Sequence, residues 1–157
     1  MIHIYTDGGC SGNPGPGGWG YVIIGDRVQG IGDREEGVLE EKWGAERSTT
    51  NNRMELQAVI AALEALASMR GEDKEVAVYT DSQYVQKGMT IWLADWKARG
   101  WKTSDKKPVK NQDLWLCLDA LAAGFALNWV WVKGHAGNEY NERCDALTQK
   151  AIASLSR

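Results

Sequence analysis

Apolar and polar residues alternate along Ile2–Asp7, a β-branched and aromatic run that predicts a short strand ending on a carboxylate. The glycines and prolines of Gly8–Gly18 predict that the strand stops there and that a loop with an open backbone takes over. Trp19–Ile24 predicts a second strand, Gly25-Asp26 a turn, and Arg27–Gly32 a third strand. Asp33–Arg47 shows no clear period and reads as an acidic surface excursion anchored by Trp43. Ser48–Asn52 supplies helix-start chemistry for a long helix from Asn52 to Met69, stopped by Gly71. Its apolar positions cover more than one face, as suits a helix buried between a sheet and other helices.

Glu75–Asp81 predicts a fourth strand that repeats the first: an apolar run, Tyr-Thr, then Asp. A short helix begins at Ser82 and stops at Gly88, and Ile91–Arg99 is helical again. Gly100–Lys110 is a basic loop, Asn111–Ala123 a helix, Ala126–Val132 a fifth strand, and Glu139–Leu155 the last helix, after a loop at Lys133–Gly137. This order predicts an α/β fold of mixed character, with a mixed sheet and helices packed on its faces. With 157 residues, 43% of them hydrophobic, residues 1–157 are expected to form a single domain with one core.

Composition removes several classes. No apolar run is long enough to span a bilayer, and the N-terminus lacks a leader pattern, so a cytoplasmic protein is expected. Cys10, Cys117 and Cys144 have no metal-ligand spacing and read as reduced thiols. The net charge of -3 argues mildly against a nucleic-acid partner, but the charge is polarised. Asp26–Glu46 is rich in acids, whereas Lys97, Arg99, Lys102, Lys106, Lys107 and Lys110 face a single acid, Asp105. Trp92, Trp96, Trp101 and Trp115 fall in or beside that basic half. Trp101, Trp115, Trp129 and Trp131 are expected to pack in the core or against helices.

Asp7 and Asp81 end strands expected near the sheet centre, and the start of the long helix brings Glu55 toward the same lip. Asp145 lies in the last helix, after the loop that carries His135. Taken singly, each acid reads more readily as a turn, cap or first-turn residue or, for Asp145, a surface acid or partner of Arg143. Brought together, four carboxylates repel unless a cation or protons neutralise them. All-oxygen donors suit Mg²⁺, with Mn²⁺ as a substitute, and no His/Cys set suited to Zn²⁺ is present. His135 reads either as a surface loop residue or as a proton-transfer group.

Tyr5–Gly20, Thr49–Leu56, Thr80–Val85 and Trp131–Gly137 with Asn141–Asp145 resemble the motifs of bacterial ribonuclease H, type 1. Trp96–Asn111 resembles that family's basic protrusion, and the likeness runs in order along nearly the whole chain. The resemblance implies a ribonuclease H-like fold, a five-stranded sheet with strand one central, and cleavage of the RNA strand of RNA–DNA hybrids. Matched by motif, Asp7, Glu55, Asp81 and Asp145 are the metal-binding carboxylates, and His135 the loop histidine of proton transfer or product release. Asn13, Asn52 and Gln83 match contacts to the RNA strand, Thr50 part of a DNA-phosphate pocket, and Trp92 with the basic protrusion the DNA-strand grip. Gly37–Glu46 departs from the family as a longer acidic connection. Lys87 stands where relatives often carry a neutral polar residue, and the chain stops soon after its last helix, where many relatives have a tail.

The chemistry expected is two-metal-ion phosphodiester hydrolysis, with Asp7 bridging two ions about 4 Å apart. Glu55 and Asp81 would complete one side and Asp145 the other. A hybrid-binding module without catalysis is disfavoured because none of the four acids is missing. A phosphate-cradle nucleotide site lacks the Gly-Lys-Ser/Thr closure and the helix after it. An integrase-like DNA nuclease is disfavoured by the RNA-contacting asparagines and the basic protrusion. No obligate protein partner is expected, and a monomer is the default.

Overall fold

The central strand of the sheet is the first one in the chain. In the computed structural model, which describes residues 1–25, 37–69, 75–133 and 138–156, five strands lie in the order β3-β2-β1-β4-β5. These are β1 (Ile2–Cys10), β2 (Gly15–Ile24), β3 (Val38–Thr49), β4 (Glu75–Thr80) and β5 (Ala126–Trp131). β1 pairs antiparallel with β2 and parallel with β4, β2 pairs antiparallel with β3, and β4 parallel with β5. The mixed sheet expected from the sequence is therefore present.

Helix α1 (Asn51–Ser68) covers one face. Its residues Leu56, Val59, Ile60 and Leu63 meet Ile4, Tyr21, Ile23, Val76 and Val78 in the main core. Thr50 caps it, its hydroxyl accepting the Arg53 N–H at 3.3 Å. Helix α5 (Glu139–Ser154) covers β1 and β2 on the other face, where Tyr5, Val22, Ile24 and Cys144 form a second cluster. Gly20 permits that approach, since a Cβ there would stand 2.7 Å from the Leu147 Cβ. The remaining helices are α2 (Gln83–Lys87), α3 (Leu93–Ala98) and α4 (Gln112–Ala122).

The fold departs from the expected elements in three places. The glycine-rich stretch does not end β1 at Asp7: β1 runs on to Cys10 and pairs Gly9 with Gly18 in β2. The neighbouring strand supplies the ladder that glycine propensity alone would not. From residue 38 the supposed acidic excursion is strand β3, which pairs with β2 from Val38 to Thr49. It lies at the sheet edge, so its charges stay in water and also blunt the open edge, which hides the alternation of a strand. Gly88 is not a helix stop. The chain passes through it in right-handed helical geometry into a π-helical turn, Gly88–Trp92, that joins α2 to α3. Glycine is needed there for packing, because a Cβ would lie 2.0 Å from the Trp115 ring. The strand expected over Arg27–Gly32 and the stop at Gly71 lie outside the described residues.

Candidate active site

β1 and β4 run parallel with Tyr5 opposite Tyr79, so the twice-repeated Tyr-Thr-Asp brings Asp7 and Asp81 to the same end of neighbouring strands. Glu55 comes from the second turn of α1. The Gly8 N–H donates to Glu55 Oε1 at 2.9 Å, and a Cβ on Gly8 would lie 2.4 Å from the Met54 carbonyl carbon. Glycine at position 8 thus lets the helix backbone settle onto the strand end. Asp7, Glu55 and Asp81 each offer an oxygen within 4.8 Å of the others.

That arrangement is electrostatically costly. Burial first, then the charges of Asp7 and Asp81, push the Glu55 carboxyl well above the usual glutamate range, with the Gly8 N–H opposing the shift. Glu55 Oε2 is buried without a hydrogen-bond partner among the described residues. Three crowded carboxylates with an unsatisfied oxygen fit a hard divalent cation, which would neutralise the charge and take up the orphan atom.

The three acids open onto a cleft of about 360 Å³, lined also by Gly8, Gly9, Asn51, Ser82, Asp145, Thr148 and Gln149. Asp145, half-buried on α5, therefore faces the same cleft from the opposite wall but lies outside the tight group of three.

Sequence reasoning selects Asn52 and misses Asn51. The Asn51 Oδ1 accepts the Cys10 N–H at 2.7 Å, and its own N–H donates to Asn13 Oδ1 at 3.2 Å. Asn13 and Asn51 together hold the β1–β2 turn against the start of α1. The available signal is spacing: Asn51 stands four residues before Glu55, one turn back on the same helix face. Asn52 and Gln83 are exposed and do not line the cleft, and the Thr50 hydroxyl is engaged as the α1 cap. His135 lies outside the described residues.

A second network joins this site to the basic segment. Arg53 grips Asp113 with two bonds, 3.0 and 2.8 Å, and reaches Asn111 at 3.4 Å. Tyr84 accepts from Asn111 Nδ2 at 3.1 Å and from Trp115 Nε1 at 3.0 Å. Trp92 is half-buried, with Tyr84 on one side and Trp96 on the other, both ring centroids 5.9 Å away. Arg99, Lys102, Lys106, Lys107 and Lys110 are exposed, and Lys97 pairs with Asp119 at 3.0 Å. Trp115 is fully buried and Trp101 and Trp129 pack half-buried against the core, but Trp131 is 39% exposed. The expected core role fails for Trp131, the last residue of β5, two positions beyond the half-buried Trp129; its indole N–H instead donates to the Asp81 carbonyl at 3.2 Å.

The ribonuclease H family model matches residues 1–153 of the chain. The chain belongs to the ribonuclease H family. It is 56% identical to the Ribonuclease H of Paramagnetospirillum magneticum, over 98% of this chain and 91% of that one. It is 55% identical to that of Methylobacillus flagellatus, over 97% and 91%. Among solved structures, LC9-RNase H1, a type 1 RNase H with the type 2 active-site motif, matches with a TM-score of 0.84 and 37% identity, over 98% of this chain and 72% of that one. LC11-RNase H1, solved in complex with an RNA/DNA hybrid, matches with a TM-score of 0.72 and 29% identity over the full length of both. The ribonuclease H-like fold is thus established from both sequence and structure. No helix among the described residues is long and apolar enough to cross a membrane.

Proposed function

We propose that this ribonuclease H hydrolyses the RNA strand of RNA–DNA hybrids as a metal-dependent endonuclease, with Asp7, Glu55, Asp81 and Asp145 as its metal-binding carboxylates. The observation that carries the reading is the meeting of Asp7, Glu55 and Asp81, from three separate elements, within 4.8 Å in a member of this family. Mg²⁺ is the proposed ion, with Mn²⁺ as a substitute. When bound, a divalent pair supplies positive charge for the attacking and leaving oxygens and lowers the pKa of a water.

The protein's own part is placement. Asp7 comes from the central strand, Asp81 from the strand beside it and Glu55 from the helix above, while Asp145 completes the set from α5. Asn13 and Asn51 fix the turn whose glycines leave the backbone open to a sugar edge. Asn13, Asn52 and Gln83 can donate to and accept from 2′-hydroxyls, the feature that separates RNA from DNA. Thr50 belongs to the proposed DNA-phosphate pocket through the helix start that it caps. Trp92 and the exposed cations Arg99, Lys102, Lys106, Lys107 and Lys110 form the proposed DNA-strand grip, with Lys97 held back by Asp119. His135 is the proposed proton-transfer residue.

The same proposal takes residues 1–157 as a single ribonuclease H domain acting as a monomer without an obligate protein partner. A cytoplasmic location is part of it and is supported by three free thiols. The experiment is a cleavage assay with labelled hybrid, duplex DNA and duplex RNA, each with and without Mg²⁺. Metal-dependent cutting confined to the RNA of the hybrid is expected. Cutting of duplex DNA, or inactivity toward hybrid with either metal, overturns the reading.

A further inference from the structure

We propose that Trp131 is a positioning residue for Asp81: its indole N–H fixes the main chain from which that carboxylate projects into the cleft. Asp81 occupies a break between two regular elements. The β4–β5 ladder ends at the pair Thr80↔Trp131, with one further bond from the Val132 N–H to the Thr80 carbonyl at 2.9 Å. Helix α2 begins at Gln83, capped by the Ser82 hydroxyl, which accepts the Val85 N–H at 3.2 Å. The Asp81 carbonyl therefore falls past the last ladder pair and before the helix. Trp131 Nε1 reaches it at 3.2 Å from the neighbouring strand.

The indole is poorly explained by burial, being 39% exposed at the sheet edge. Its donor is the part of the side chain with a defined partner. Asp81 also contributes to the repulsion felt by Glu55, so the crowded carboxylates tend to separate. A main chain held by a strand side chain resists that separation, as hydrogen bonds behind metal ligands generally do. Because the bond is exposed, it contributes little to global stability and acts locally.

The inference rests on the metal-binding reading above, and the test separates the two. The intact protein, without substrate, is titrated with Mn²⁺ while its thermal midpoint is followed, in wild type and in Trp131→Phe, Trp131→His and Trp129→Phe. Trp131→Phe should leave the metal-free midpoint near wild type and raise the Mn²⁺ concentration at half-effect about tenfold. Trp131→His, which keeps a ring N–H, should recover part of that deficit. Trp129→Phe, which trims a half-buried core side chain, should lower the metal-free midpoint and leave the Mn²⁺ response in place. If wild type responds and Trp131→Phe follows the same titration curve, the positioning role is wrong. It is equally wrong if Trp131→Phe merely lowers the metal-free midpoint as Trp129→Phe does. If wild type itself does not respond to Mn²⁺, the metal reading falls and takes this inference with it.

Discussion

Tyr5 and Tyr79 stack face to face, ring centroids 4.3 Å apart and planes within 5° of parallel, two residues before Asp7 and Asp81. Stacked rings on adjacent strands hold the register that sets the two carboxylates side by side. Tyr140 of α5 packs on Tyr5 at 5.2 Å, and the Tyr79 hydroxyl meets His3 Nδ1 at 3.0 Å. The carboxylate-bearing end of the sheet is thus aligned by aromatic side chains.

Asp7 is the member of the carboxylate cluster that the central strand supplies. Asp7→Asn should abolish cleavage, a drop of at least about a thousandfold on the scale of removing a group that stabilises transition-state charge. Hybrid binding in the presence of metal should persist. A cleavage assay beside a binding assay checks both, and near-wild-type turnover would remove Asp7 from the centre.

Glu55 gives a pH signature in the metal-free protein. Its folded-state pKa is raised, so the unfolded chain releases this proton first as pH climbs. Stability should therefore fall as pH rises through the ordinary glutamate range, and keep falling until the folded carboxyl ionises. Glu55→Gln removes the charge and should flatten that slope. At neutral pH without metal the variant should be more stable than wild type, while losing activity. Denaturant melts at a series of pH values measure it.

Exposed cations on the segment after α3 should give hybrid binding its salt dependence. Replacing Lys102, Lys106, Lys107 and Lys110 with Ala should lower the slope of log affinity against log salt by about 0.7–0.9 for each phosphate no longer neutralised. Lys97→Ala should change it less, because that ammonium is already paired with Asp119. A slope unchanged from wild type in the fourfold variant would remove the segment from the interface.

Gly88 tests the packing beneath that segment. A methyl at position 88 would collide with the fully buried Trp115 ring. Gly88→Ala should cost about 1–3 kcal/mol, as overpacked cores do, despite alanine being the better helix former. Thermal or urea unfolding gives the sign.

The elements with a clean period are legible in the amino-acid order itself. β1, α1, β4 and β5 follow from alternation or helical spacing, and the doubled Tyr-Thr-Asp points to two carboxylates on one lip. What stays hidden depends on neighbours. β3 has no readable alternation because its charged side chains lie in water at an edge, and only pairing with β2 makes it a strand. Gly88 looks like a helix stop until Trp115 is seen against it. Asn51 and Asn52 are indistinguishable in composition; the four-residue spacing to Glu55 hints at Asn51, and the approach of Cys10 selects it. Trp131 looks apolar in sequence, and its role comes from the strand end at which it stands.

The charged outer strand also bears on how copies of this protein meet in concentrated solution. Glu41, Lys42, Glu46 and Arg47 lie exposed on β3, so strand addition between two such edges would have to take charged side chains out of water. The molecule carries its own deterrent to fibril-like stacking.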